Sequence, residues 1–227
     1  MATSGTYAYS IEIGEVVDEA FERCGIDPAT LTARHLRSAR RSLNLLFSDW
    51  ATRGIHLWAV DQQTQLLTQS DATYTVPVGT VGILEMVVRR DGLDTPVWPM
   101  ARDEYLAIPD KTTEGLPNRF WFERLGGASS VIHLWDVPEN STDSIIYYRL
   151  RQLQDIVTAA ENPDVPYFWN EALVAGLSAK LAEKYAPDRE GNLIKKAEAR
   201  FKSANTEDRE RTPTATRVKY AVGIRRR

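Results

Sequence analysis

The strongest constraint on this chain is a double change of hydrophobic period. Apolar residues recur at helical spacing up to Gly54, alternate at period two from Ile55 to Arg151, and return to helical spacing after Asn162-Pro163. A pattern of period 3.6 does not suit a sheet, and a pattern of period two does not suit a helix. The chain therefore reads as α+β: a helical bundle built from N- and C-terminal helix pairs, with an antiparallel β-module of sandwich or barrel type set between them. Residues 1–54 and 155–211 supply the helices, residues 55–154 the β-insert, and residues 212–227 an extended basic C-terminal tail.

Start and stop signals refine the helices. Ser10 is positioned to cap a first helix whose apolar stripe is Ile13, Val16, Val17, Ala20, Phe21 and Cys24, with Gly25 at the C′ position. Asp27-Pro28 marks a turn. A second helix, capped by Thr30 or Thr32, carries Leu36, Ala39, Leu43, Leu46, Phe47 and Trp50, and Gly54 ends it; the two helices read as an αα-hairpin. Asp164-Val165-Pro166 starts a third, with Trp169, Leu173, Leu177, Leu181 and Tyr185 as its buried face. Its Ala172, Ala175, Gly176, Ala179 and Ala182 let a neighbour approach closely. Pro187 breaks it and starts a fourth, bearing Leu193, Ala197, Phe201 and Ala204 on a narrow stripe. Residues 1–9 read as an extended arm.

Between these pairs the alternation predicts strands at 56–60, 63–68, 73–76, 83–90, 95–98, 119–125, 130–136 and 144–151. Asp91-Gly92 and Gly126-Gly127 suit tight hairpins. Pro77, Pro96, Pro99 and Pro138 stand at strand ends, where a missing N–H costs least. A short helix at 102–107 and a proline-bounded loop, 108–117, interrupt the series. The aromatics on these strands, Trp58, Trp98, Trp121, Trp135, Tyr147 and Tyr148, read mainly as sandwich interior. A stacking surface for sugars or bases is the alternative.

The sequence offers little chemistry. Its three histidines, His35, His56 and His133, lack metal-ligand spacing. Cys24 is the one cysteine, so no intrachain disulfide forms, and it sits on an apolar stripe rather than in a reactive setting. No nucleophile elbow, phosphate loop or dinucleotide loop occurs. Asp103-Glu104 and Asp18-Glu19 read as solvated or capping carboxylates. No catalytic set, cofactor or metal is expected. No apolar run reaches the roughly 18 residues that span a bilayer, and the first residues do not form a signal peptide, so expression in a cytoplasm is expected.

Charge carries more. The net charge is −3, so the chain as a whole is not a non-specific nucleic-acid binder. Basic residues cluster in two places. Arg34, Arg37, Arg40 and Arg41 line one face of the second helix, a solvated or intersubunit face rather than a DNA contact. The tail from Thr212 holds five basic residues, Arg217, Lys219, Arg225, Arg226 and Arg227, and no acid. Ordering its sixteen residues costs about 16–30 kcal/mol of backbone entropy. A partner is expected to hold it, by strand addition through 217–224 (Tyr220 and Ile224 included) or by charge through Arg225–Arg227.

Several ordered motifs carry a resemblance. Leu43-Asn44-Leu45-Leu46 through Trp50-Ala51-Thr52-Arg53-Gly54, with Leu57-Trp58, resembles a stretch of bacteriophage head-to-tail adaptor proteins. So do Tyr74-Thr75-Val76-Pro77 with Ile83-Leu84-Glu85, and Glu104-Tyr105 followed by Ile108-Pro109, Lys111, Thr113, Gly115 and Pro117. Residues 134–138, 148–153, 172–187 and 207–210 are similar again. The likeness spans about residues 10–211. It is to the tail accessory, or packaged-DNA-stabilisation, adaptors of short-tailed phages and the related tail tubular protein A. It implies a non-enzymatic virion protein forming a ring, usually of twelve copies, beneath the portal. Such a ring extends the DNA channel, with double-stranded DNA passing unbound through the lumen, and carries the tail nozzle. The resemblance implies that the helical part and Arg217, Lys219, Tyr220, Ile224, Arg225, Arg226 and Arg227 meet the portal. It implies that loops of the insert, including Pro109, Lys111, Thr113, Gly115 and Pro117, meet the nozzle or fibres; on physical grounds the charged face of Arg34, Arg37, Arg40 and Arg41 suits subunit contacts in such a ring. A host-surface carbohydrate-binding tail module is the alternative from another class.

Overall fold

The computed structural model describes residues 9–54, 57–125 and 129–208. In chain order its elements are α1 (Ile13–Cys24), α2 (Ala33–Thr52), β1 (Val60–Leu66), β2 (Thr73–Thr75), β3 (Thr80–Arg90), β4 (Leu93–Pro96), β5 (Trp98–Pro99), α3 (Arg102–Ala107), β6 (Glu114–Gly115), β7 (Arg119–Glu123), β8 (Val131–Trp135), β9 (Val137–Pro138), β10 (Ser144–Arg151), α4 (Asn170–Tyr185) and α5 (Pro187–Glu207). The fold is mixed α+β, as the change of period requires. The C-terminal tail lies outside the described residues.

One apolar cluster joins α1, α2, α4 and α5. Helix α4 is its centre. It is buried all round for about two turns, from Ala172 to Ser178, and again at Leu181 and Ala182. Gly176 shows why its small residues matter: a Cβ there would come within 2.8 Å of Leu46 Cδ2 on α2. The expected hairpin of α1 on α2 is replaced by a different arrangement. Each packs its backbone against α4, and ring contacts from Phe21 to His35 and Tyr185 bridge between them. Trp169 is fully buried, with the rings of Trp50, Trp58 and Phe201 centred 4.9, 4.8 and 5.3 Å away.

One cap differs from the expectation and another is chosen between the two expected. Ser10 does not cap α1; Glu12 does, and its N–H donates to the Glu15 carboxylate at 3.0 Å. Thr32, not Thr30, caps α2. Gly25 closes α1 in the left-handed region, at φ 83°, where L side chains are strained.

The strands form two four-stranded sheets, ordered β1-β10-β3-β4 and β2-β8-β7-β5, with a two-stranded ladder β6-β9. Neither closes into a barrel among the described residues. Pairing is mostly antiparallel, but the short β5–β7 and β6–β9 pairs are parallel. A second apolar cluster draws on both four-stranded sheets, including Tyr74, Met86, Val88, Phe120, Ile132, Leu134, Ile145 and Tyr147. The Asp91-Gly92 turn joins β3 to β4 with both residues at positive φ, 50° and 79°, as a two-residue hairpin requires. Gly126-Gly127 lies outside the described residues, although β7 and β8 on either side of it pair antiparallel.

Three strand assignments change. The expected strand at 56–60 is instead a 3-10 turn at Leu57–Ala59, and the stretch at 63–68 belongs to one strand, β1, that starts at Val60. Alternation cannot distinguish a short apolar turn from a strand end. The expected strand at 95–98 splits at Val97, so that β4 lies in one sheet and β5 in the other. Five of the six aromatics leave the β interior, where Tyr147 alone is fully buried. Trp58 packs on the helical cluster. Trp121 and Trp135 are half-buried on the outside, while Tyr148 is 43% and Trp98 65% exposed.

Candidate interaction surfaces

Helix α2 sets the first surface. Its seven buried residues, from Ser38 to Trp50, fix the face turned to the core. That leaves Arg34, Arg37, Arg40 and Arg41 exposed on the other side. Arg40 Nη1 donates to the Val157 carbonyl at 3.0 Å. Among the described residues Arg34, Arg37 and Arg41 have no carboxylate partner. Leu36, expected on the apolar stripe, is 47% exposed. It borders a groove of about 400 Å³ between α1, α2 and residues 156–159.

That connector is held by a residue whose role the sequence hid. Asn44 Oδ1 accepts from the Ile156 N–H at 3.0 Å, and its Nδ2 donates to the Ile156 carbonyl at 3.3 Å. One side chain thus satisfies both backbone groups of Ile156, as a neighbouring strand would. The N-terminus of α1 grips the same connector: Ile13 and Gly14 N–H donate to the Glu161 and Ala159 carbonyls at 2.9 and 2.8 Å. The Leu43-Asn44-Leu45-Leu46 order of α2 contained the signal, since an amide on the helix beside buried Leu43 needs a partner of its own.

Three arginines, Arg149 buried and Arg90 and Arg151 half-buried, tie the β-region together and to the connector. Arg149 Nε and Nη2 donate to the two oxygens of Asp61 at 2.6 and 2.9 Å, and Nη1 donates to Thr80 Oγ1 at 3.0 Å. Hydrogen bonding to Arg149 holds the Asp61 carboxyl below its usual range. Arg90 reaches Asp143, which is only 1% exposed, and Glu139. Arg151 Nη2 donates to Asp164 at 2.9 Å, crossing from β10 to the segment that leads into α4.

The loop at 108–117 is ordered by its own polar groups. Lys111 Nζ donates to the Ile108 carbonyl at 2.9 Å and lies 5.5 Å from the Tyr105 ring. Asp110 accepts from Thr112 N–H and Oγ1 at 2.8 and 2.6 Å. The Thr113 carbonyl accepts from Val137 N–H, and Gly115 lies in β6 against β9. A Cβ on Gly115 would stand 3.4 Å from Asp136. The five residues expected to dock therefore share one loop, but unequally. Pro109 and Thr113 are exposed, Lys111 and Gly115 half-buried, and Pro117 buried. Behind them the Trp121 and His133 rings stack at 4.6 Å, with Tyr105 over both and His133 Nε2 2.9 Å from Glu123.

Groups with catalytic potential are engaged structurally. The Cys24 thiol is buried, donates to the Ser178 carbonyl at 3.5 Å and is pushed up by burial, away from the thiolate a nucleophile needs. His35 Nδ1 accepts from Thr32 N–H at the α2 cap. Glu104 accepts from Ala101 N–H at the start of α3, in the capping role expected for that carboxylate. His56 lies outside the described residues. Among those described, no three histidine, cysteine or carboxylate side chains gather as a metal site would require, and no helix is long and apolar enough to cross a membrane.

Arg217, Lys219, Tyr220, Ile224, Arg225, Arg226 and Arg227 also lie outside the described residues. Sequence comparison supplies what geometry does not. A family model described as SU10 adaptor protein matches residues 12–221. The chain belongs to the SU10 adaptor protein family. A comparison with curated proteins returned no match. Membership makes this SU10 adaptor relative a phage structural adaptor, a component of the virion that works with other head and tail proteins. The match takes in both apolar clusters, the four α2 arginines and the 108–117 loop. It also runs into the tail beyond the stretch read from the motifs, through Arg217, Lys219 and Tyr220.

Proposed function

We propose that this adaptor joins head to tail as a non-enzymatic ring beneath the portal, most simply of twelve copies. It extends the DNA channel, helps retain packaged DNA and carries the nozzle. The observation that carries the proposal is the family match across residues 12–221. The fold supports it: a ring needs two unlike faces on each subunit, and this chain has two unlike cores. In this reading residues 1–54 and 155–211 form the bundle that builds the ring on the portal side. Residues 55–154 form a sandwich-like module facing the nozzle, in the manner of tail tubular protein A. The tail from residue 212 grips the portal through Arg217, Lys219, Tyr220, Ile224 and Arg225–Arg227. Pro109 and Thr113 offer the docking loop its exposed side chains. DNA passes without specific binding, in keeping with a subunit of net charge −3.

Electron microscopy of the chain mixed with its portal tests the proposal. A ring added coaxially to the portal is expected, and deletion of residues 214–227 should abolish it while leaving a folded protein. Portal binding unchanged by that truncation overturns the tail's role. A second reading, carbohydrate binding by the β-region, rests on Trp98, 65% exposed. It requires glycan binding by the isolated chain that is lost in Trp98→Ala.

A further inference from the structure

We propose that two oppositely charged helix faces of this chain form one interface, with the acidic face of α1 in one copy seated on the arginine face of α2 in another. The inference rests on the ring reading only in that copies touch. Glu15, Asp18 and Glu22 stand on the solvent side of α1, and all three are exposed. Arg34, Arg37 and Arg41 stand on the solvent side of α2, likewise exposed. The spacing is the same in both sets: a residue, the third after it and the seventh after it. At 1.5 Å rise per residue each stripe is about 10 Å long. Two such helices laid side by side in the same direction bring three pairs of opposite charge into register.

Neither stripe is used inside the chain. Among the described residues, Asp18, Glu22, Arg34, Arg37 and Arg41 form no ion pair, and Glu15 accepts only from the Glu12 N–H. Seven other arginines behave differently. Arg23, Arg53, Arg89, Arg90, Arg149, Arg151 and Arg200 each hold a carboxylate. Other unpaired charges, such as Arg102, Arg119 and Arg124, are scattered over residues 55–154, whereas these two sets line up with the same spacing on two helix faces, one acidic and one basic. Between them lies the groove bordered by Asp18, Leu36, Arg37, Arg40 and Val157. Leu36 and Val157 are 47% and 56% exposed there and provide apolar area within a charged rim. Complementary rim charges of this kind set register and partner choice.

Charge exchange tests the proposal. Arg37→Glu with Arg41→Glu makes both faces acidic; Asp18→Lys with Glu22→Lys makes both basic. Full-length chains are mixed with the portal protein, and assembly is read by sedimentation velocity and electron microscopy. Circular dichroism melts confirm folding, and the neutral pairs R37Q/R41Q and D18N/E22N serve as a second set. Each reversed variant alone should lose at least tenfold in assembly. An equimolar mixture of the two should recover to within about threefold of wild type, because every contact is then complementary again. Neutral variants should fall between. Wild-type-like assembly by either reversed variant overturns the proposal, as does failure of the mixture to recover. Salt-dependent DNA binding lost in R37E/R41E with assembly intact also overturns it, and makes the face a nucleic-acid surface. A wild-type chain that never associates with itself sinks the ring reading as well, which separates the two failures.

Discussion

The helical and β regions solve the same burial problem by different means. In the helical region α4 is enclosed by α1, α2 and α5, and close approach at Gly176 and aromatic contact at Trp169 provide the cohesion. Its ion pairs, such as Arg23 with Glu171, lie at the edge and stay partly exposed. In the β-region the apolar cluster is thinner, and arginines clamp its margins: Arg149 to Asp61, Arg90 to Asp143 and Arg151 to Asp164. The contrast teaches that one chain can contain a core closed by packing alone and another whose margins are closed by charge. The first should be insensitive to pH and salt, and the second should not.

The largest expected effect strikes the packed core. Trp169→Ala should cost about 3–5 kcal/mol, read by urea denaturation, with hydrogen exchange rising in α4 before β10. Uniform loosening of both regions would break the contrast. Next is the clamp at Arg149. Arg149→Ala strands Asp61 at a partly exposed site and should cost about 2–3 kcal/mol. Because Arg149 depresses the Asp61 carboxyl in the folded state, that stabilisation is present above about pH 4 and is lost as pH falls below it. Asp61→Asn should therefore flatten the acid limb of the stability curve, whereas Trp169→Ala should leave its shape alone. A parallel shift from both variants would erase the distinction. Asn44→Ala leaves both backbone groups of Ile156 without their partner and should cost about 1–2 kcal/mol. Exchange at Ile156 should rise with it, and protection there unchanged would show that the amide is dispensable. The smallest effect should be Glu171→Ala, under about 1 kcal/mol and smaller still in high salt.

Much of this was legible in the sequence, for a physical reason. Period reports which side of an element is buried, so α1, α2, α4, α5 and most strands followed from apolar spacing, with Gly25, Pro187 and Asp91-Gly92 as punctuation. Period does not report what lies opposite. Leu36 fits a helical stripe yet faces a groove, and Trp98 alternates like a core residue yet lies at a sheet edge. The clamps were hidden because Asp61 and Arg149 are 88 residues apart in sequence, and no local pattern links them. The arginine face of α2 was visible as a row of charges. Its acidic counterpart on α1 gained meaning only when both rows proved exposed and unpaired.

Strand β1 pairs with β10 along its whole length, from Val60 opposite Leu150 to Leu66 opposite Ser144. The chain therefore enters and leaves the β-region through neighbouring backbones, at a Cα separation of about 5 Å. A gap of that size can be closed by a linker of a few residues. The β-region is in effect a cassette on a two-wire plug, free to be lengthened, replaced or removed over evolution without rewiring the helices that hold it.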